Sequence, residues 1–208
     1  MKGLRNDMAV QDPEYLRPYY EARQRKVRGV HALLWNSEET QQIRFEAIAR
    51  NCPLAGLSLL DVGCGRADLL GFLRQRGIVP SRYTGIEAVT SSIRAARRRK
   101  YEGLHLIKAD FVKQPETLDI GADVVIFSGS LSTLPEDQFY ETLERAWASA
   151  ERALAFNFLC TPRSPGDADW IVLHHPATVA AFARSLAADV RIDNGYMDDD
   201  CTIVMRKR

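Results

Sequence analysis

Leu59-Leu60-Asp61-Val62-Gly63-Cys64-Gly65-Arg66-Ala67-Asp68 decides how the rest of the chain is read. Its apolar start reads as a short buried strand, its centre as a glycine turn, and its end as the head of a helix. Gly63 and Gly65 let backbone N–H groups approach a ligand with no Cβ in the way. The helix that follows aims its positive end at the same spot. A strand–GxG–helix unit of this kind points to a nucleotide-derived cofactor.

Length and composition bound the setting. At 208 residues, 46% hydrophobic and 26% charged, the chain reads as one soluble globular unit. No run of 18 apolar residues and no signal-peptide pattern occurs, so a cytoplasmic protein that does not enter membranes is expected. Cys52, Cys64, Cys160 and Cys201 lack metal-ligand spacing, so reduced thiols and no metal are expected. A net charge of +1 implies no global attraction to nucleic acid.

Working outward, two acids select the cofactor. The place of the third glycine of a dinucleotide fingerprint holds Asp68, and Asp61 sits on the strand end. Two carboxylates repel a pyrophosphate and suit a ligand carrying a cation, which disfavours a nicotinamide dehydrogenase. Asp61-Val62-Gly63-Cys64-Gly65 resembles motif I of the class I S-adenosylmethionine-dependent methyltransferases. Downstream, Arg82–Glu87 reads as a second strand, and Glu87 follows Gly63 by 24 residues. An acid there accepts hydrogen bonds from ribose hydroxyls. Leu104–Ala109 reads as a third strand, and the resemblance implies that Asp110 takes the adenine amino group while Phe111 lies against the ring.

The resemblance covers about residues 57–206. It implies a doubly wound, mostly parallel α/β sheet of seven strands, Rossmann-like, with the last strand antiparallel. Residues 1–56 are expected as a helical cap and 57–208 as the S-adenosylmethionine-binding domain. The expected cofactor contacts are Arg44, Asp61, Val62, Gly63, Cys64, Gly65, Asp68, Glu87, Ala88, Asp110, Phe111, Ser128 and Gly129. Arg44 enters because an upstream helix in this family often covers the cofactor's methionine end, where a guanidinium can pair with the carboxylate; surface solvation is the alternative. Ser128 and Gly129 enter because the apolar run Ala122–Phe127 reads as a fourth strand beside the first, with its tip at the switch point.

The remaining segments are less specific. Asp12-Pro13 starts a helix carrying Tyr15, Tyr19 and Tyr20 among Arg23, Arg25, Lys26 and Arg28, read either as a lid or RNA-facing helix or as a solvated basic face. Ser37 caps a second helix whose Phe45, Ile48 and Cys52 face the core. Arg97–Lys100 ends a helix whose dipole suits bases. Ala153–Leu159 reads as the fifth strand. Residues 161–175 form a long loop, of which His174 and His175, together with Tyr19, are the candidate general bases. Asp189 to about Tyr196 and Cys201–Met205 read as two strands. The tight turn is expected at Met197–Asp200 rather than Asn194-Gly195, with Asp198, Asp199 and Asp200 solvated.

The expected activity is methyl transfer from S-adenosylmethionine to a small-molecule acceptor by in-line displacement. The alternatives are an RNA methyltransferase, its substrate held by Arg23–Arg28 and Arg97–Lys100, and a non-catalytic scaffold. The tip Ser128-Gly129-Ser130 lacks the Asn/Asp-Pro-Pro-aromatic motif of the amino-group enzymes that act on adenine or glutamine. The acceptor and the oligomeric state are not legible in the sequence.

Overall fold

The computed structural model describes residues 37–160 and 171–208. Tyr19, the basic segment Arg23–Arg28 and the Asp12 helix start lie outside the described residues. Ser37 caps α1 (Glu38–Asn51): its Oγ accepts from Thr40 N at 3.1 Å, and Thr40 Oγ1 accepts from Ser37 N at 3.2 Å. That reciprocal pair satisfies two donors that the helix start would otherwise leave open. Phe45 and Ile48, three apart, fall on the buried face.

From there strands and helices alternate: β1 (Ser58–Val62), α2 (Asp68–Gln75), β2 (Arg82–Glu87), α3 (Thr90–Arg98) and β3 (Leu104–Lys108). A 3-10 turn (Pro115–Ile120) leads to β4 (Ala122–Phe127), α4 (Glu136–Ser149), β5 (Ala150–Leu159), α5 (Pro176–Leu186), β6 (Asp189–Asp193) and β7 (Asp200–Arg206). The seven strands make one sheet in the order β3-β2-β1-β4-β5-β7-β6. β1 pairs parallel with β2 and with β4; β7 pairs antiparallel with β5 and β6. The chain winds outward from β1 to β3 and then crosses back to β4. This reversal opens a crevice at the carboxyl tips of β1 and β4, the place where such sheets bind ligands.

Side chains alternate across the strands and build a core on each face. Leu59, Tyr83, Val124 and Ala155 pack with Phe45 and Ile48 of α1, Leu69 and Leu73 of α2, and Ala96 of α3. Leu60, Val125, Leu154 and Ile203 pack with Phe139 and Leu143 of α4 and Val179 and Ala183 of α5. Phe45 and Ile48, within the expected cap, thus pack into the core on one face of the sheet. Asp123 fastens the foot of β1 to β4, its Oδ2 accepting from Ser58 N at 2.9 Å and Ser58 Oγ at 2.8 Å.

Two expectations need correction. β5 begins at Ala150, directly after α4 and without a connecting loop, because Ala150 already pairs with Ala122. The β6–β7 turn falls at Asp198-Asp199, inside the expected window, but Asp200 is not solvated. It pairs with Leu159 as the first residue of β7 and is 1% exposed.

Candidate active site

The β1–α2 turn is built on left-handed backbone. Gly63 has φ +76°, Gly65 φ +55°, and Ala67, at the N-cap of α2, φ +56°. Gly63 N and Cys64 N both donate to Ile86 O, at 2.9 and 3.0 Å, which moors the turn to β2. A Cβ on Gly63 would stand 2.4 Å from Ser130 Cβ, so only glycine lets the segment after β4 close on the turn. Ser130 Oγ completes that closure by donating to Val62 O at 2.7 Å. The Cys64 side chain folds down onto Gly85, where a Cβ would meet its sulfur at 2.5 Å.

Acids surround the turn. Glu87, the last residue of β2, accepts from Gly65 N at 2.9 Å through Oε2 and from Val89 N at 2.7 Å through Oε1. Those bonds and one from Ala88 N favour the carboxylate, yet burial outweighs them and raises its pKa. Asp61 lies beneath the turn, 3% exposed, accepting from the Tyr83 hydroxyl. Its burial pushes the carboxyl from near 3.8 up to about 7 against that hydrogen bond, and the Glu87 and Asp68 charges add to the rise. Glu87 also feels Asp110, at the tip of β3. The acids ending β1, β2 and β3 therefore converge on one region. Asp68 is different: Arg66 and Arg99 both pair with it.

Asp110 Oδ1 accepts from Val112 N at 3.1 Å and Lys113 N at 3.4 Å, so it caps the turn after β3. Phe111 is half-buried and meets Phe127 edge-to-face, ring centres 5.9 Å apart. Ser128 and Gly129 stand at the tip of β4, where Asn157 of β5 holds them. Asn157 Oδ1 accepts from Gly129 N at 2.9 Å, and its Nδ2 donates to Ser128 Oγ at 3.5 Å.

Three other candidates have surroundings of their own. Arg44 is 1% exposed and its Nε donates to Asp200 Oδ2 at 2.6 Å, so neither solvation nor a free guanidinium describes it. His174 is 4% exposed and stacks on Phe139 with ring centres 3.8 Å apart, beside Tyr140 and Phe158. Burial lowers its pKa and keeps the imidazole neutral. His175 is exposed and forms the N-cap of α5 through its backbone.

A family model described as "Methyltransferase domain" matches residues 59–152, from β1 into β5, and so includes the turn, Glu87, Asp110 and the β4 tip. Over those residues the chain is similar to that methyltransferase-domain family. A ubiquinone biosynthesis O-methyltransferase of Albidiferax ferrireducens is 24% identical over 192 aligned residues, covering 77% of this chain and 75% of that protein. Among solved structures, the magnesium protoporphyrin IX methyltransferase of Synechocystis PCC 6803 with bound SAH superposes with a TM-score of 0.64 at 15% identity. The match covers 95% of this chain and all of that one. An O-methyltransferase family protein from Burkholderia thailandensis has a TM-score of 0.70 at 15% identity, covering 98% of this chain and 65% of that one. At these identities the structures show the shared fold.

Two partners of the site residues, one of Asp61 and one of Gly129, escaped the sequence reading. Tyr83 and Asn157 sit inside strands, where an apolar-looking or isolated polar residue reads as core. Asn157, at 0% exposure, carried a usable signal, because a buried amide in an apolar strand demands partners. Among the described residues no helix is long and apolar enough to cross a membrane, and no cluster of His, Cys, Asp and Glu has metal-site geometry.

Proposed function

We propose that the domain binds S-adenosylmethionine at the β1–β4 crevice and directs its methyl group to a small-molecule acceptor, in the cytoplasm. The observation that carries this reading is the convergence of Asp61, Glu87 and Asp110 around a left-handed glycine turn. The donor set fits the cofactor. Glu87 has about four lone-pair sites, enough to keep capacity for ribose hydroxyls beyond its backbone bonds. Asp110 Oδ2 remains an acceptor for an amino group, and the Phe111 ring supplies an apolar wall. The surplus of carboxylate charge favours a cationic ligand. Bound there, S-adenosylmethionine supplies an electrophilic methyl on sulfur.

The chain's own residues position and enclose. Ser130 locks the turn, Asn157 fixes the Ser128-Gly129 tip, and both act through backbone geometry that orients reactants. The small-molecule reading draws support from the named activities of the Albidiferax and Synechocystis proteins. For a hydroxyl acceptor, His175 is the imidazole with solvent access, whereas His174 is sealed in its aromatic stack. Tyr19 lies outside the described residues.

Calorimetric titration with S-adenosylhomocysteine tests the cofactor assignment. Glu87→Ala is expected to weaken binding about 10- to 100-fold, the loss of charge-assisted hydrogen bonds. Unchanged affinity in a folded variant overturns the assignment. Labelled S-adenosylmethionine, incubated with fractionated cell extract, tests the acceptor class: label is expected in the small-molecule fraction and not in RNA.

A further inference from the structure

Tyr83 belongs to no part of the motif that marks the turn, yet it is sealed at 1% exposure with its hydroxyl donating to Asp61. The strand register explains the reach. Asp61 lies opposite Gly85, and Tyr83 is two residues earlier on the same face of β2. Gly85 has no side chain, so nothing stands between the tyrosine ring and the carboxylate, and the Cys64 sulfur fills the remaining gap.

Among the described residues, the groups that face Asp61 include no cation. From β2 it faces Tyr83 and the Glu87 carboxylate, from the turn the Cys64 thiol, and from α2 the Asp68 carboxylate. Asp68 is matched by Arg66 and Arg99. Among the described residues no lysine or arginine pairs with Asp61 or Glu87. Two buried carboxylates thus share one pocket, and among the described residues the groups that donate to them, the Tyr83 hydroxyl and backbone N–H groups, are neutral, an arrangement that favours holding a proton until a positive charge arrives.

We propose that Tyr83 is a positioning residue for the cofactor: through its hydrogen bond it readies Asp61 as the counter-charge beneath the glycine turn, and cofactor binding releases one proton from Asp61 to solvent. This inference rests on the cofactor reading above. The hydroxyl favours the ionised carboxylate, and the cation of the ligand completes the shift. Burial that brings Asp61 to about 7 places the exchange within the physiological range. No bond other than the O–H of the Asp61 carboxylic acid is broken, and the proton passes to the buffer.

The test is calorimetric titration of S-adenosylmethionine, with no methyl acceptor present, into the wild type, Tyr83→Phe and Asp61→Asn, from pH 5.5 to 8.0, in buffers of differing ionisation enthalpy. Wild-type affinity is expected to rise by up to about tenfold per pH unit below the midpoint, with proton release near pH 7. In Tyr83→Phe the whole profile moves to higher pH, so binding is weak at pH 7 and recovers as pH rises. Asp61→Asn is flat and releases no proton, and it also reports any titration of the ligand itself. A wild-type profile without pH dependence, or a Tyr83→Phe loss of equal factor at every pH, overturns the proposal while leaving the cofactor site standing. Absence of binding by the wild type at every pH overturns the cofactor reading itself.

Discussion

Ala67 is a non-glycine residue held in the left-handed region at φ +56°, fully enclosed at the head of α2. That conformation costs an alanine about 1–2 kcal/mol. Ala67→Gly is expected to leave stability within about 1 kcal/mol of the wild type, as read by urea denaturation, because the strain relieved is offset by the extra entropy that glycine loses and by the loss of a buried methyl. Asp61 carries a different cost. Its carboxyl is raised from near 3.8 to about 7 in the folded, ligand-free protein. The folded state therefore holds a proton that the unfolded state has released, and this contribution to stability is lost as pH climbs from about 4 to about 7. Asp61→Asn cannot ionise and escapes the loss. It is expected to be more stable than the wild type above pH 7 by about 1–3 kcal/mol while binding the cofactor more weakly. Equal denaturation midpoints at pH 8 contradict the raised carboxyl.

At the scale of elements, α1 is joined to the β6–β7 hairpin by ionic contacts that span most of the chain. Arg44 meets Asp200, which also accepts from the Tyr196 hydroxyl, and Arg50 and Asn51 both meet Asp193. Burial raises Asp200 to about 6 even against the Arg44 charge, which marks how dry the pair is. Arg44→Met leaves that carboxylate without its cation, and the expected loss is about 3–5 kcal/mol. The double variant Arg44→Met/Asp200→Leu is expected to recover most of it, since an apolar pair of similar volume avoids the desolvation. Denaturation midpoints of the two variants decide the matter. The His174 stack ties α4 to the segment before α5 in apolar surroundings. His174→Phe is accordingly expected to keep both the melting temperature and turnover, whereas a role as base requires loss of turnover.

Over the whole molecule, what could be read in advance was local. The bounds of α2, β2 and β4 follow from patterns a few residues long: the Asp68 start, the Glu87 tip, the unbroken apolar run to Phe127. The pairing of Asp61 with Tyr83, of Gly129 with Asn157 and of Arg44 with Asp200 depends on which strands become neighbours, and no short-range pattern encodes that. Arg44 shows the difference most clearly, because its helix was legible while its partner lies 156 residues away. Because the seven strands form one sheet, ligand binding is expected to register in the stability of the whole. S-adenosylhomocysteine at about 100 times its Kd is expected to stabilise the fold by about 2.7 kcal/mol, a rise of about 5–10 °C in Tm for a domain of this size. A thermal scan that shows no shift contradicts the proposed cofactor.

The reversed course of β7 has a practical result. Entering at Asp200 beside the tip of β5 and leaving at Arg206, it carries the last residues about 20 Å to the opposite rim of the sheet. A fluorophore or surface tether joined after Arg208 accordingly stands clear of the crevice, which makes that end the natural point for immobilising the protein in ligand-capture assays.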